Sequence, residues 1–239
     1  YVYKNNQLGE RSLSKLPKLN IDFSSADRET QYLFFPKKVW KITGNEILEY
    51  KQGEVDKYVW EDKIIDFDIK LDDPHFEITK DESGNFDIEI LNKENMFFNY
   101  LINTSRVHWK EELEEYFENR PKGEFEAEQY FKENKFNIAG PNLSEDKKHE
   151  QKLHLINKIY SIGYTLHQYK NYNKPWAVFA MDNKVSDLGE SHGGSGKSLC
   201  YSFLNKILKR RVYLKGRDPK LTQNDFIYHE VSEDTDYIL

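Results

Sequence analysis

A glycine-rich loop that leads directly into an amphipathic helix is the feature that most constrains this chain. The loop, Ser191–Ser198, has the sequence SHGGSGKS, and the predicted helix continues to Leu208. Glycines let the backbone approach a ligand closely, and the N–H groups of such a loop and of the helix start surround a phosphate. The pattern predicts a phosphate-binding loop of the Walker A type, although Ser191 stands where G-x-x-x-x-G-K-[ST] begins with glycine.

The loop predicts a site for ATP and Mg²⁺, the two expected cofactors. Lys197, the predicted catalytic residue, would reach the β- and γ-phosphate oxygens, and the Ser198 hydroxyl would ligate Mg²⁺. His192 would either contact a phosphate or only cap the loop. The alternative interpretation is a Gly/Ser surface loop that caps an ordinary helix. The predicted ATP-binding residues are His192, Gly193, Gly194, Ser195, Gly196, Lys197, Ser198 and Leu199.

The helix after the loop is predicted to bury a wide apolar face. Its apolar residues recur at helical spacing, so that they form one stripe with a second stripe beside it. The two stripes are Leu199, Phe203 and Ile207, and Cys200, Leu204 and Leu208.

Composition narrows the class of protein. The 239 residues have a net charge of -6, so a DNA contact would need a local basic surface. An aromatic content of 15% argues against disorder. Cys200 is the single cysteine, which excludes a disulfide framework and a thiolate zinc site and fits a cytoplasmic protein. No apolar run approaches the roughly 18 residues that span a bilayer, so no membrane partner is expected.

Two groups of basic residues have alternative interpretations. The basic run after the loop would contact DNA phosphates, or its residues Lys209–Arg211 would only complement the dipole at a helix C-terminus, so the DNA-binding residues stay unknown. The run consists of Lys206, Lys209, Arg210, Arg211, Lys215, Arg217 and Lys220. Arg106, near Trp109, is expected to stack on or pair with a neighbour in a structural role.

Residues 1–143 are predicted to form an α+β region. Thr43-Gly44-Asn45 and Asp81–Asn85 are turn sequences between apolar runs, which is typical of β-hairpins. Helical segments follow these runs. The predicted strands are Tyr32–Phe35, Val39–Ile42, Ile47–Tyr50, Phe67–Leu71, Phe76–Ile78 and Phe86–Ile90, and the predicted helices are Lys93–Ser105 and Trp109–Asn119.

Residues 144–172 are predicted to form a connecting helix, and residues 173–239 the first half of an α/β P-loop NTPase domain. Ser144 would cap a helix that ends near Asn171. The predicted helix face consists of Leu155, Ile159, Ile162 and Leu166. Trp176–Met181 is predicted to be a fully buried strand of a parallel sheet, and Val212–Leu214 and Asp236–Leu239 are predicted short strands. The expected fold is therefore an α+β N-terminal region followed by a partial P-loop NTPase domain.

Several stretches of the sequence resemble the primase-helicase proteins of phages and bacterial mobile elements, whose motor is similar to superfamily-three helicases. They are Gln31–Phe35, Tyr58–Ile64, Phe97–Trp109 and, as the strongest match, Lys174–Ser198. The resemblance implies a helicase-associated region before an ATPase that forms a homo-oligomeric ring. It further implies that ATP hydrolysis drives unwinding of single-stranded or forked DNA during replication of a phage or mobile element.

Two alternatives stay open beside the helicase. One is another P-loop enzyme, such as a small-molecule phosphotransferase, and the other is a noncatalytic interaction module.

A P-loop ATPase also needs Walker B carboxylates after a hydrophobic strand. Because the sequence begins at Tyr1 and stops at the apolar run Tyr237–Leu239, it is predicted to be a fragment that ends before those acids and is hydrolytically inactive by itself.

Overall fold

The chain divides into two compact units, Tyr1–Asp66 and Phe67–Leu239. The computed structural model describes residues 21–116, 124–174, 176–181, 196–214, 228–232 and 235–239. The domain boundaries predicted after residues 143 and 172 both fall inside the second unit. Within these described ranges, no helix combines the length and the apolar character needed to cross a membrane.

The first unit contains a three-stranded antiparallel sheet in the order β1-β2-β3. The strands are β1 (Gln31–Phe34), β2 (Lys38–Ile42) and β3 (Ile47–Lys51). The hairpin predicted between β2 and β3 is confirmed, and its turn is closed by the Thr43 N–H, which donates to the Glu46 carbonyl at 2.9 Å.

The core of the first unit is built on aromatic side chains from this sheet. The rings of Phe35 and Trp40 meet edge to face at 4.8 Å, and both side chains are buried. A short 3₁₀ helix, Glu61–Lys63, precedes Ile65, which is also buried. The Ile65 N–H donates to the Phe34 carbonyl at 2.9 Å, so this later segment is tied to the edge of the sheet.

The second unit begins with an antiparallel hairpin of β4 (Phe76–Lys80) and β5 (Phe86–Ile90), as predicted. The strand predicted over Phe67–Leu71 is wrong, because these residues form no strand and are largely exposed. A strand needs a second strand that binds its backbone N–H and carbonyl groups, and alternating apolar and charged residues do not supply one. The neighbouring strand β4 pairs with β5 and not with residues 67–71.

In the described residues between positions 91 and 174, four helices follow the hairpin. They are α1 (Met96–Asn103), α2 (Trp109–Tyr116), α3 (Glu124–Glu133) and α4 (Glu145–Leu166). The Asn95 side chain caps α1 by accepting from the Phe98 N–H at 3.0 Å. The core between α1, α4 and the hairpin consists of Ile88, Phe98, Leu101, Ile102, Phe136, Leu155, Ile156 and Cys200.

Helix α4 lies at the centre of this unit. Ser144 occupies its N-cap position as predicted, although the Ser144 side chain makes no capping hydrogen bond. The helix ends at Leu166, short of the predicted end at Asn171. Its predicted apolar face is confirmed, because Leu155 is fully buried and Ile159, Ile162 and Leu166 pack against the buried core residues.

The described residues after position 195 form two short helices and a two-stranded parallel sheet. The helices are α5 (Lys197–Ser202) and α6 (Leu204–Ile207). The strands are β6 (Arg211–Val212), which shares only Val212 with the predicted strand Val212–Leu214, and β7 (Tyr237–Ile238), which lies inside the predicted Asp236–Leu239.

The predicted buried face of this helical segment needs a correction. Cys200, Leu204 and Leu208 are buried, whereas Leu199 is 55% exposed. The buried stripe is therefore the second of the two predicted stripes, Cys200, Leu204 and Leu208. The reason is that the helix breaks at Phe203, between α5 and α6, and the Cys200 side faces α1 and α4.

The prediction of a buried strand over Trp176–Met181 is also wrong. These six residues form no strand, and Phe179 and Met181 are more than four-fifths exposed. A buried strand needs neighbouring strands for its backbone groups. Here β6 and β7 pair with each other, and the backbone of Trp176 hydrogen bonds to the hydroxyl of Tyr164 instead.

A buried ion pair joins the helices of the second unit. The guanidinium of Arg106 contacts the carboxylate of Glu112, and both side chains are fully buried. Gln151 on α4 donates to the same carboxylate at 3.0 Å, and the Tyr130 hydroxyl on α3 donates to it at 3.3 Å. One carboxylate on α2 therefore holds side chains from α3, α4 and the segment after α1.

Arg106 makes further contacts around this carboxylate. Its guanidinium lies over the rings of Tyr130 and Phe131, at 5.6 and 5.0 Å from their centroids, and donates to the Asn134 carbonyl at 3.4 Å. The expectation that Arg106 stacks on or pairs with neighbours is confirmed. Because so many donors surround the pair, the cost of removing two charges from water is offset by hydrogen bonds.

We expect Arg106→Met to destabilise the chain by about 3–5 kcal/mol, because it leaves the Glu112 carboxylate buried without a counter-charge. Lys147→Met is the matched control, since Lys147 pairs with Glu111 between the same α2 and α4, with both side chains more than a third exposed. The control should lose less than about 1 kcal/mol. Urea unfolding measures both, and equal losses would contradict a structural role for the buried pair.

Candidate functional site

Of the eight predicted ATP-binding residues, the structure describes the last four, Gly196 to Leu199. Gly196 has a left-handed backbone, with φ of 78°, and occupies the N-cap position of α5. Lys197 is half-buried, and Ser198 and Leu199 are exposed. The other predicted ATP-binding residues, His192, Gly193, Gly194 and Ser195, lie outside the described residues.

The carbonyl of Gly196 is the most heavily used acceptor in this segment. It receives the N–H groups of Leu199 and Cys200 at 3.0 and 3.1 Å, and the hydroxyl of Tyr100 at 2.6 Å. A Cβ at position 196 would overlap the Tyr100 hydroxyl oxygen. Glycine is therefore required here both by its positive φ and by the space that Tyr100 occupies.

Lys197 and Ser198 line a cavity of about 630 Å³. This volume lies within the range of about 300–1,000 Å³ typical of small-molecule sites. Besides Tyr237 of β7, the cavity walls include one acidic side chain and three further aromatic ones. They are Asp236, Tyr164, Trp176 and Tyr201. The two predicted phosphate-contacting side chains thus share one concave surface with aromatic groups.

The aromatic wall is held in place by a reciprocal hydrogen bond. The Tyr164 hydroxyl accepts from the Trp176 N–H at 3.1 Å and donates to the Trp176 carbonyl at 3.2 Å. The Lys170 ammonium lies 4.4 Å from the centroid of the Tyr164 ring, and burial lowers its pKa. These contacts fix Trp176 beside α4 although no strand forms there.

Asp236 brings a carboxylate to the cavity just before β7. Its N–H donates to the Arg210 carbonyl at 2.7 Å, and its Oδ2 accepts from the Arg210 N–H at 3.2 Å. No group of three or more His, Cys, Asp or Glu side chains that could hold a metal ion occurs among the described residues. Mg²⁺ is usually held by few protein oxygens together with substrate phosphates, so the Ser198 hydroxyl is a donor of the appropriate type.

The hydroxyl of Tyr100 stays protonated at neutral pH. Burial raises the pKa of Tyr100 to about 12, and Cys200, whose Sγ lies 3.9 Å from the hydroxyl, adds to the shift. Tyr100 therefore acts as a donor to the Gly196 carbonyl throughout the physiological range. Burial and the negative charge of Glu112 likewise raise the pKa of Tyr130 to about 12.

Tyr100, Tyr164, Trp176 and Asp236 were not predicted as site residues. Tyr100 lies 96 residues before Gly196, and no spacing in the sequence links the two. Trp176 belongs to an apolar run that is typical of a buried strand, so the sequence pattern does not predict its position in a cavity wall. Only the Gly-Lys-Ser triplet has a chemical signature that can be recognised from sequence.

No protein-family model, curated protein or solved structure matches this chain. The site contributes a lysine, a hydroxyl and a left-handed glycine beside a cavity large enough for a nucleotide.

We expect the stability of the chain to fall between about pH 10 and 12 as Tyr130 ionises, because its pKa is raised on folding. The stabilisation from the neutral phenol is complete below the unfolded pKa of 10.0 and is lost as pH rises through the folded value. Tyr130→Phe should show a shallower fall in urea unfolding at alkaline pH. Tyr160→Phe is the control, since Tyr160 is 71% exposed. A wild-type slope in both variants would contradict the raised pKa.

Proposed function

We propose that this chain binds ATP with Mg²⁺ through Gly196, Lys197 and Ser198, as the nucleotide-binding part of a DNA helicase. The observation that supports this most directly is that Lys197 and Ser198, at the end of a Gly-Lys-Ser loop, line a cavity of about 630 Å³. The left-handed Gly196 directly before them is the backbone geometry that a tight loop at a helix start requires.

The chemistry of the proposed site is electrostatic. The Lys197 ammonium would hold the β- and γ-phosphate oxygens and stabilise the charge that develops on them. Lys197 and Ser198 lie at the start of α5, where the positive end of the helix dipole favours an anion. Mg²⁺, bound through the Ser198 hydroxyl and the phosphates, would neutralise phosphate charge.

Leu199 has a different part in this proposal from Lys197 and Ser198. Its N–H donates to the Gly196 carbonyl, and its side chain is 55% exposed. The Leu199 amide thus stabilises the turn at the helix start, and the predicted contact of Leu199 with ATP is not used in this proposal. The proposal therefore places phosphate recognition on the two residues before it.

The helicase part of the proposal rests on the resemblance to primase-helicases of phages and mobile elements. Under this proposal the protein assembles as a homo-oligomeric ring on single-stranded or forked DNA and acts in replication in the cytoplasm. Phe97–Trp109, one of the resembling stretches, includes all of α1 but its first residue and also Arg106, and it belongs to the same compact unit as Lys197. This arrangement supports a helicase-associated region that packs with the nucleotide site.

Lys197→Ala is expected to weaken binding of a fluorescent ATP analogue by about 10- to 100-fold, because it removes charge-assisted hydrogen bonds to phosphate. The Tm without nucleotide should stay close to that of the wild type. Lys206→Ala is the matched control, since Lys206 is an exposed lysine on α6 that does not line the cavity. Equal affinity of wild type and Lys197→Ala would contradict the proposed site.

A DNA-binding measurement separates the helicase from its two rivals. We expect labelled forked DNA to bind in fluorescence anisotropy at low salt, more tightly when the ATP analogue and Mg²⁺ are present. Nucleotide binding without any DNA binding would favour a small-molecule phosphotransferase. Absence of both would favour a noncatalytic interaction module and would overturn the proposal.

A further inference from the structure

We propose that Tyr100 is a positioning residue for the nucleotide site, because its hydroxyl fixes the peptide group that joins Gly196 to Lys197. The inference rests on the proposed function and assigns to it a residue from α1, far from the loop in sequence. Tyr100 would not contact the nucleotide. It would act through the backbone of Gly196.

The planarity of the peptide group explains how Tyr100 could act on the phosphates. The Gly196 carbonyl and the Lys197 N–H belong to one trans peptide unit and point in opposite directions. The Tyr100 hydroxyl holds this carbonyl at 2.6 Å, together with the N–H groups of Leu199 and Cys200. Since the Gly196 carbonyl points to the Tyr100 hydroxyl, the Lys197 N–H points away from Tyr100. Lys197 itself lines the cavity.

Tyr100 is positioned by ring contacts and by its helix as well as by its hydrogen bond to Gly196. Its ring stacks on Phe97 with centroids 6.0 Å apart, and Phe97 meets Phe203 edge to face at 4.8 Å. Leu101 and Ile102, the next residues of α1, are buried in the core of the second unit. The Tyr100 hydroxyl is therefore a donor in a defined position, and it orients the carbonyl of Gly196.

The space around Gly196 gives a second reason. A Cβ at this position would overlap the Tyr100 hydroxyl, so glycine and tyrosine fit each other closely. With φ of 78°, Gly196 can adopt other backbone conformations at little cost once the hydroxyl is absent. Removing the hydroxyl should therefore let the peptide group rotate and weaken phosphate binding without removing any group that touches the nucleotide.

The test compares Tyr100→Phe with Tyr130→Phe in the full chain. Each change removes one tyrosine hydroxyl that donates a hydrogen bond, and neither tyrosine lines the cavity. The half-buried Tyr100 donates to the Gly196 carbonyl, whereas the buried Tyr130 donates to Glu112. Tyr100→Phe should raise the Kd for the fluorescent ATP analogue about three- to tenfold. Tyr130→Phe should lower the Tm and leave this Kd unchanged.

Hydrogen exchange without nucleotide gives an independent reading. The Leu199 and Cys200 amides, which bond to the Gly196 carbonyl, should exchange faster in Tyr100→Phe and at the wild-type rate in Tyr130→Phe. If the wild type binds the analogue and Lys197→Ala weakens binding, an unchanged Kd in Tyr100→Phe overturns this inference alone. If the wild type does not bind the analogue, the proposed function fails and the inference fails with it.

Discussion

The buried ion pair between Arg106 and Glu112 is the interaction on which the second unit depends. Neither charge can remain in the core without the other, because burying an isolated charge costs several kcal/mol. That cost is comparable to the net free energy of unfolding of a whole domain. Gln151 and Tyr130 donate to the Glu112 carboxylate from α4 and α3. The relative positions of three helices are thus fixed by directional hydrogen bonds as well as by apolar packing, which tolerates small shifts.

The candidate site depends on this scaffold at two points. The hydroxyl of Ser161 on α4 lies 2.8 Å from the hydroxyl of Tyr201, and the two form a hydrogen bond. Tyr201 is on α5 and lines the cavity. Tyr100 on α1 holds the carbonyl of Gly196 at the start of α5. Lys158 ties α4 to α1, since its ammonium donates to the Thr104 carbonyl at 2.9 Å. The loop end is therefore anchored to the same two helices that form the core.

Local chemistry made part of this structure predictable from sequence. The turn at Thr43–Asn45 and the period of α4 are set by neighbouring residues, and both predictions are confirmed. The strands predicted over Phe67–Leu71 and Trp176–Met181 are wrong, because a strand also needs a partner that no local pattern reveals. The hydrogen bond from Tyr100 to Gly196 joins residues that are distant in sequence, and for this reason no motif could predict it.

The claim that the end of the glycine-rich loop binds a nucleoside triphosphate is tested most directly by amide NMR during titration with MgATP. The account predicts saturable shifts that are largest at Gly196, Lys197 and Ser198, with smaller shifts in α1 around Tyr100. The first unit should respond least, since its sheet contains none of the proposed phosphate-contacting residues. Saturable shifts confined to residues outside this loop, or no shifts at all, would contradict the account.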